Sequence, residues 1–331
     1  MRARGFTLIE LMVAMVLGLV VIGGVLSVLL ANKRSYRTNE GLSQIEETSR
    51  SAFELLARDF RQTAANGCDN SGRVANVLSP GTAWWQTWFG MAGYGGTDTD
   101  PAVAVGTGTG QRVTGTDSIE VQSIDNTGMS VKSHDPASAS IKINAATTPF
   151  TAGDVLMVCD FDHAAIFQVS SYDVTNVAVA NVDGAGTPGN CSKGLGYPTS
   201  CGSSTGNVYQ FNPNSEIARF TAVDWYIGNN GRPEEGGRSL YRRRLGPAAT
   251  LVTEEIVAGV TSMQIQYRVS GNTTFVAASA MAAGDWANVN ALTITLTMTS
   301  ADRYVSSDMS VNSGRLQRRF TYLVTLRNRV P

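Results

Sequence analysis

The feature that most constrains this chain is an apolar run near its N-terminus, residues 5–31, which reads GFTLIELMVAMVLGLVVIGGVLSVLLA. A run of this length and composition is typical of a membrane-spanning helix. It contains a single charged residue, Glu10, and a carboxylate within such a helix costs about 2.5–3.5 kcal/mol. No small-residue cleavage site follows Ala31, as it would behind a secretory signal. Something must therefore compensate the charge of Glu10.

The string Gly-Phe-Thr-Leu-Ile-Glu at residues 5–10 resembles the N-terminus of type IV prepilins. The resemblance implies that a prepilin peptidase cuts between Gly5 and Phe6 and methylates the new amine of Phe6. Residues 1–5 would be the leader peptide, and Glu10 would be the fifth residue of the mature protein. The alternative is an uncleaved signal anchor with an accidental acid, which the energetic cost of Glu10 disfavours.

The chemistry of this cleavage suggests a role for Glu10. Cutting before Phe6 leaves the whole apolar segment on the protein and creates a cationic amine at its tip. The amine of one subunit can neutralise the carboxylate of a neighbour, which removes the burial penalty only when subunits assemble. We therefore expect Glu10 to favour one axial stagger between neighbouring subunits.

Composition indicates a large domain outside the cytoplasm. A chain of 331 residues can bury a sizeable core in one or more domains. Charged residues make up 16% of it and there are 34 glycines, which suits a β-rich domain with long loops. The formal net charge is −1, and loss of Arg2 and Arg4 with the leader would make it more negative. Nucleic acid is therefore unlikely as a main partner.

The four cysteines, Cys68, Cys159, Cys191 and Cys201, fit an oxidising compartment such as the periplasm. Four cysteines allow three pairings, and sequence alone does not select one. Cys191 and Cys201 enclose a turn-rich stretch that closes easily, so we expect these two to pair, which leaves Cys68 with Cys159. A metal site would favour Cys-x-x-Cys pairs or clustered histidines, and the chain has two histidines. We predict disulfides, and no metal or cofactor.

The pattern predicts one helix from Phe6 to about Ala65. Residues 6–31 are apolar all round, and residues 32–66 form an amphipathic continuation. Such a helix would span roughly 90 Å, far more than a membrane needs, so its second half must lie against a folded domain. Its apolar positions recur at three- and four-residue steps, with Phe53 and Phe60 beside them: Leu42, Ile45, Ser49, Ala52, Leu56 and Thr63.

Residues 67–331 are predicted to form a β-rich globular domain, so the fold class is α+β: a pilin-like long N-terminal helix packed on a large antiparallel β domain. No alternation of strands and helices indicates a parallel sheet. A helical turn is predicted at 254–260. The predicted strands are 117–124, 139–143, 153–161, 164–171, 173–181, 207–211, 217–228, 238–245, 261–269, 290–299 and 317–327.

The stretch after the helix, residues 69–116, is rich in glycine and is predicted to be irregular. Its aromatic cluster of Trp84, Trp85, Trp88 and Phe89 could form an adhesive patch, although such residues more often fill a core. Residues 90–110 have little to bury and are predicted to form a mobile loop.

Strings further along the chain resemble the PilW-type minor pilins. They are Gly-Asp-Val-Leu at 153–156 with Ala-Ile-Phe-Gln-Val at 165–169, Glu-Glu-Ile-Val at 254–257 with Gln-Ile-Gln-Tyr at 264–267, Asp285-Trp286 ahead of the strand at 292–296, and Leu-Arg-Asn-Arg at 326–329. Their order, together with the prepilin motif, extends the resemblance over most of the chain.

Three acidic stretches could suggest a metal site. Asp160, Asp162 and His163 share a tight turn, but acidic turn residues are usually solvated. Fragments at 98–100 and 183–184 resemble parts of calcium loops without the full spacing that such loops require. Some type II secretion pseudopilins use calcium, but these strings do not establish a calcium site in this chain.

The densest basic patch is Arg238 with Arg242, Arg243 and Arg244. It could contact DNA phosphates or an acidic neighbour, but successive strand residues point to opposite faces, so a solvated strand is expected. The chain has no nucleophile elbow, P-loop or zinc-protease motif. It is therefore not expected to be an enzyme.

The resemblance implies a minor pilin that helps to prime assembly of the type IV pilus, at or near its tip, with roles in twitching motility, adhesion or DNA uptake. Its expected partners are other minor pilins, the major pilin and the prepilin peptidase. The expected location is the inner membrane, with the globular domain in the periplasm, and then the pilus at the cell surface. The alternatives are a type II secretion pseudopilin and an adhesive or DNA-binding tip module.

Overall fold

A computed structural model describes most of the chain, and its architecture is one long N-terminal helix, α1, followed by a large β-rich domain. The α+β class predicted from the sequence is therefore confirmed. The residues described are 7–64, 68, 73–125, 128–303, 305–306 and 312–326.

The helix α1 is continuous over 54 residues, Leu8–Arg61, close to the predicted range. Thr7 caps its N-terminus and Gln62 its C-terminus, while the predicted end at Ala65 lies outside the described residues. Its first half is exposed on all sides, and its second half buries one stripe against the domain. The buried residues are Gly41, Ile45, Ser49, Ala52, Leu56, Ala57 and Phe60. The second half of α1 thus meets the domain along one face.

The longest strands of the domain are β10, β13 and β15, and most of the others are short. In chain order the strands are β1 Val74–Asn76, β2 Met91–Tyr94, β3 Ser118–Ile124, β4 Val131–Asp135, β5 Ser140–Ile143, β6 Val155–Cys159, β7 Ala164–Gln168, β8 Ser171–Asp173, β9 Ala178–Ala180, β10 Glu216–Asn229, β11 Arg238–Leu245, β12 Leu251–Ala258, β13 Val260–Val269, β14 Val276–Ala277, β15 Val289–Thr299 and β16 Gln317–Thr325.

These strands form three sheets. The largest has eight strands, with the order β1-β7-β6-β10-β11-β12 and with β3 joining β10 to β2. Two four-stranded sheets have the orders β14-β13-β15-β16 and β4-β5-β9-β8. The predicted antiparallel pairing holds for the described strand pairs except β1 and β7, which run parallel.

The main core lies between α1 and two of these sheets. The buried stripe of α1 packs with apolar residues of β3, β10, β13 and β15, among them Trp225 of β10 and Leu292 of β15. A second cluster joins the sheet of β4, β5, β9 and β8 to β6 and β7. A third contains Trp84 and Trp85, which are 7% and 4% exposed. Trp84 and Trp85 therefore fill a core, as predicted, while Trp88 and Phe89 of the same aromatic cluster are half-buried.

Two predicted elements are wrong in kind. Residues 254–260 do not form a helical turn: they lie largely in β12, which pairs with β11. The Thr-Glu-Glu-Ile sequence suits an edge strand, in which Glu254 can reach the arginines of β11. Residues 207–211 do not form a strand, although Phe211 is buried in the second cluster. The predicted strand 173–181 is interrupted by a turn between β8 and β9.

The predicted mobile loop at residues 90–110 is also wrong. Its first residues form β2, and Met91, Ala102 and Val103 are buried. A buried cation adds to these apolar contacts: the guanidinium of Arg112 donates to the carbonyl oxygens of Gly95 and Thr116 at 2.6 and 2.7 Å. A count of apolar residues does not detect this kind of stabilisation.

We expect a fragment that starts near Tyr36 to fold alone as a monomer, because it keeps the buried stripe of α1 from Gly41 onward. Circular dichroism and size-exclusion chromatography measure this. In that fragment Phe60→Ala should lower the free energy of unfolding by about 3–5 kcal/mol, since the ring is fully buried. An unfolded spectrum for the parent fragment would contradict the division into helix and domain.

Candidate functional site

The N-terminal end of α1 is organised by a capping box between Thr7 and Glu10. The Thr7 hydroxyl oxygen accepts a hydrogen bond from the Glu10 backbone N–H at 3.3 Å. The Glu10 carboxylate in turn accepts from the backbone N–H and the hydroxyl of Thr7, both at 2.9 Å. Glu10 therefore caps its own helix, a role that the sequence reasoning missed although Thr-x-x-Glu is the signature of this motif.

The surface that follows Glu10 is apolar and uncovered. Large side chains from Leu8 to Leu30 are each more than half exposed, and an added Cβ at Gly18, Gly23 or Gly24 would meet no atom within 4 Å. Within the described part of the chain, α1 is the one helix that is long and apolar enough to cross a membrane. Lipid or other helices must cover this surface, and its small residues permit close helix approach.

The second half of α1 fixes this apolar rod to the domain. Phe53 stacks on Tyr322 of β16 with ring centroids 4.0 Å apart, and the Tyr322 hydroxyl donates to the Ser49 side chain at 3.1 Å. At Gly41 an added Cβ would lie 3.3 Å from a methyl carbon of Leu316, so the backbone of α1 approaches the domain closely there. Helix and domain are thus one packed unit along this stretch.

Charged groups close the far end of the same interface. Asp59 of α1 accepts a hydrogen bond from the indole N–H of Trp225 at 3.0 Å and lies 3.8 Å from the guanidinium of Arg242. Arg242 also donates to Glu254 at 2.7 Å, and Arg244 donates to the same carboxylate at 2.9 Å. All four arginines of the basic patch are therefore half-buried, with Arg242 and Arg244 in ion pairs, and the predicted solvated strand is corrected.

The electrostatics of this network follow from burial and hydrogen bonding. Burial raises the pKa of Asp59, which Arg242 and the Trp225 hydrogen bond oppose. Hydrogen bonds from Arg244 and Arg242 lower the pKa of Glu254 to about 2. Glu254 is thus ionised at any physiological pH and holds both arginines on the face of the sheet that meets α1.

The two disulfides lie beyond the C-terminal end of α1. They link Cys68 to Cys159 and Cys191 to Cys201, with Cα–Cα distances of 5.8 and 5.2 Å, the same two pairs that the sequence favoured. The first ties the chain just after α1 to the end of β6. Cys68 and Cys159 also lie near Glu216, but both sulfurs belong to the disulfide and are not free to bind a metal.

The acidic turn between β6 and β7 has a structural explanation. Asp160 and His163 are buried, which corrects the predicted solvated turn. The Asp160 carboxylate accepts from the Asp162 backbone N–H at 2.9 Å and from the Tyr209 hydroxyl at 2.7 Å. The His163 ring nitrogens lie 2.8 Å from the Asp162 carboxylate and from the carbonyl oxygen of Leu195. Through Leu195, these groups hold the loop closed by the Cys191–Cys201 disulfide against the turn.

Replacing Arg242 should weaken the packing of α1 on the domain. Arg242→Ala leaves two carboxylates without this cation, and we expect the free energy of unfolding to fall by about 1.5–3 kcal/mol. Denaturant unfolding of the fragment from Tyr36 measures it. The exposed Arg50 on α1 is the matched control, for which Arg50→Ala should change stability by less than about 0.5 kcal/mol. Equal effects of the two substitutions would show that the network contributes nothing specific.

Two family models match separate parts of the chain. Residues 1–26 match the prokaryotic N-terminal methylation motif, which is the motif of prepilin-like proteins. Residues 224–328 match the model of type IV pilus-assembly protein W, PilW. No curated protein matches the chain. The resemblance found in the sequence is confirmed, and the matches support a type IV pilus minor pilin.

The two matched regions coincide with the elements described above. The N-terminal match contains the Thr7–Glu10 cap and most of the apolar surface. The second match begins at Asp224 in β10 and includes β12, β15 and β16, which pack on α1. Gly5 and Phe6, at which cleavage and methylation are predicted, lie outside the described residues.

Proposed function

We propose that this chain is a minor pilin that takes part in priming assembly of the type IV pilus, at or near its tip. The observation that carries the proposal is the exposed apolar half of α1 with Glu10 at its start, joined by close packing to a domain of which residues 224–328 match PilW. The partners would be other minor pilins and the major pilin, and the protein would serve in twitching motility, adhesion or DNA uptake. Its role would be structural, without catalysis.

The proposed processing divides the chain into four parts. Residues 1–5 would be the leader, 6–31 the membrane and assembly helix, 32–66 its amphipathic continuation, and 67–331 the globular domain. Before assembly the protein would sit in the inner membrane with this domain in the periplasm, where an oxidising environment suits its two disulfides. It would then enter the pilus.

The rival functions have less support. A type II secretion pseudopilin would share the N-terminal chemistry, but the second match is to a pilus-assembly family. An adhesive or DNA-binding tip module would need exposed aromatic or basic groups. Trp84 and Trp85 are buried, and Arg242 and Arg244 are paired with Glu254.

The first test concerns processing. We expect the mature protein to begin with N-methylated Phe6, and a bulky residue in place of Gly5 to block cutting, whereas Gly5→Ala should be partly tolerated. The intact mass of membrane-extracted protein decides this. A mass that retains residues 1–5 in a strain with active prepilin peptidase would rule out the proposed processing.

The second test separates the charge of Glu10 from its capping role. If Glu10 pairs with the N-terminal amine of a neighbour, Glu10→Ala and Glu10→Gln should leave insertion and cleavage intact but reduce entry into the pilus. Thr7→Ala is the matched control, because it breaks the capping box and keeps the carboxylate. We expect Thr7→Ala to assemble far better than either Glu10 variant.

The measurements are pilus yield and recovery of the protein in sheared pili, at equal membrane levels of each variant. Normal incorporation of Glu10→Gln would overturn the proposed charge pairing. If Thr7→Ala reproduced the defect of Glu10→Ala while Glu10→Gln assembled normally, loss of the helix cap would account for the defect and loss of charge would not.

A further inference from the structure

Three carboxyl groups lie buried on the face of the large sheet that points away from α1. Asp224 of β10 follows the alternation of the strand, so it lies opposite to Trp225, which contacts α1. Its cross-strand neighbour on β3 is Glu120. Asp100 comes from residues 95–116, here called the insert, which covers this face. None of the three is more than 4% exposed.

Few donors reach these carboxyl groups. Asp100 accepts from the Ser118 hydroxyl at 2.5 Å and from the Ala102 backbone N–H at 2.8 Å, and Glu120 accepts from the Tyr94 hydroxyl at 3.0 Å. Both carboxyl oxygens of Asp224 and Oε1 of Glu120 have no hydrogen-bond partner within the described part of the chain. A buried carboxylate without partners is strongly disfavoured, so this arrangement needs a further compensating charge.

The two nearby arginines supply only part of that compensation. The guanidinium of Arg112 is used by backbone carbonyls of the insert and its flanks, and Arg243 donates to the carbonyl oxygen of Ala102. Three carboxylates against two guanidinium groups leave one negative charge in excess. A proton or a metal cation could neutralise it.

The geometry favours a proton. Within the described residues, the one group of three possible ligand atoms close enough to share a metal ion is at Cys68, Cys159 and Glu216, not here. Burial, with a smaller contribution from the neighbouring Asp100 carboxyl, raises the pKa of Glu120 to about 8. Burial also raises the pKa of Asp100 and of Asp224.

We propose that a proton held by Glu120 beside Asp100 fastens the insert to the sheet, and that its loss in alkaline surroundings releases the insert. The groups that face this pair come from every neighbouring element. They are Tyr94 of β2, Arg112 of the insert, Asp224 and Tyr226 of β10, and Tyr241 and Arg243 of β11.

The sign of the effect follows from proton linkage. The closed form binds the Glu120 proton up to a pKa of about 8, whereas a solvated glutamate loses it near its ordinary value. The closed form is therefore favoured most at acidic pH, below both values. Between the two values the ratio of open to closed form should rise about tenfold per pH unit, and above a pH of about 8 it should level off.

The chain contains a built-in probe for this opening. Arg112 is the one lysine or arginine between Arg73 and Lys132, and it is fully buried while the insert is closed. Trypsin can therefore cut after Arg112 only when the insert opens. We would digest the full chain in detergent micelles from about pH 6 to 9.5, which covers the upper part of the range in which the linkage acts and the plateau above it, and follow the 112–113 bond by mass spectrometry.

Because the activity of trypsin itself depends on pH, the cleavage rate of the wild type is compared with that of variants of the buried carboxyl cluster. Relative to Glu120→Gln, the wild-type rate at this bond should rise at least about tenfold across that pH range, and Asp100→Asn should behave like Glu120→Gln. Glu47→Gln, an exposed change on α1, should behave like the wild type. If one cluster variant fails to fold, the other still provides the comparison.

Two outcomes would overturn the proposal. One is a wild-type rate with the same pH profile as both cluster variants, because the proton would then not control the insert. The other is suppression of alkaline cleavage by millimolar calcium in the wild type but not in Glu120→Gln, because a cation would then be the compensating charge.

Discussion

The packing of one stripe of α1 on the sheet of β13, β15 and β16 determines where everything else in this protein lies. The stripe is narrow, with small residues at Gly41, Ser49 and Ala52, so the sheet can approach the helix closely. Phe53, stacked on Tyr322, and the buried Phe60 supply larger contact areas further along α1. Because this contact uses only the second half of α1, the apolar half projects freely from a domain whose position along the helix is fixed.

At the C-terminal end of α1, charged residues of β11 and β12 fix the position of the helix on the sheet. An all-apolar contact would favour many similar positions, since the hydrophobic effect has no direction. The pairings of Asp59, Arg242 and Glu254 have direction and distance, and they join α1, β11 and β12 in one arrangement. Removing one partner leaves the others partly buried and uncompensated, so the network adds specificity to the apolar contact.

The elements that follow from periodicity could be predicted from the sequence, and those that follow from polar burial could not. The stripe of α1 and the strands β10, β13 and β15 have regular patterns that only a helix or a strand satisfies. Residues 95–116 have almost no apolar pattern, and their order comes from Arg112 donating to backbone carbonyls. No local sequence pattern predicts these hydrogen bonds, because their acceptors are backbone carbonyl oxygens, which every residue has.

The same limit applies to the candidate sites. The cost of a charge in an apolar run indicates that Glu10 is important. Its hydrogen bond to Thr7 can be predicted only if the residue at which the helix begins is known. The family match from residue 224 onward includes β12, β15 and β16, which pack on α1, and the insert lies outside it. Of the buried carboxyl cluster, Asp224 is the first residue of the matched region, whereas Asp100 and Glu120 lie outside it. Helix packing and the buried carboxyl chemistry thus occupy opposite faces of one sheet.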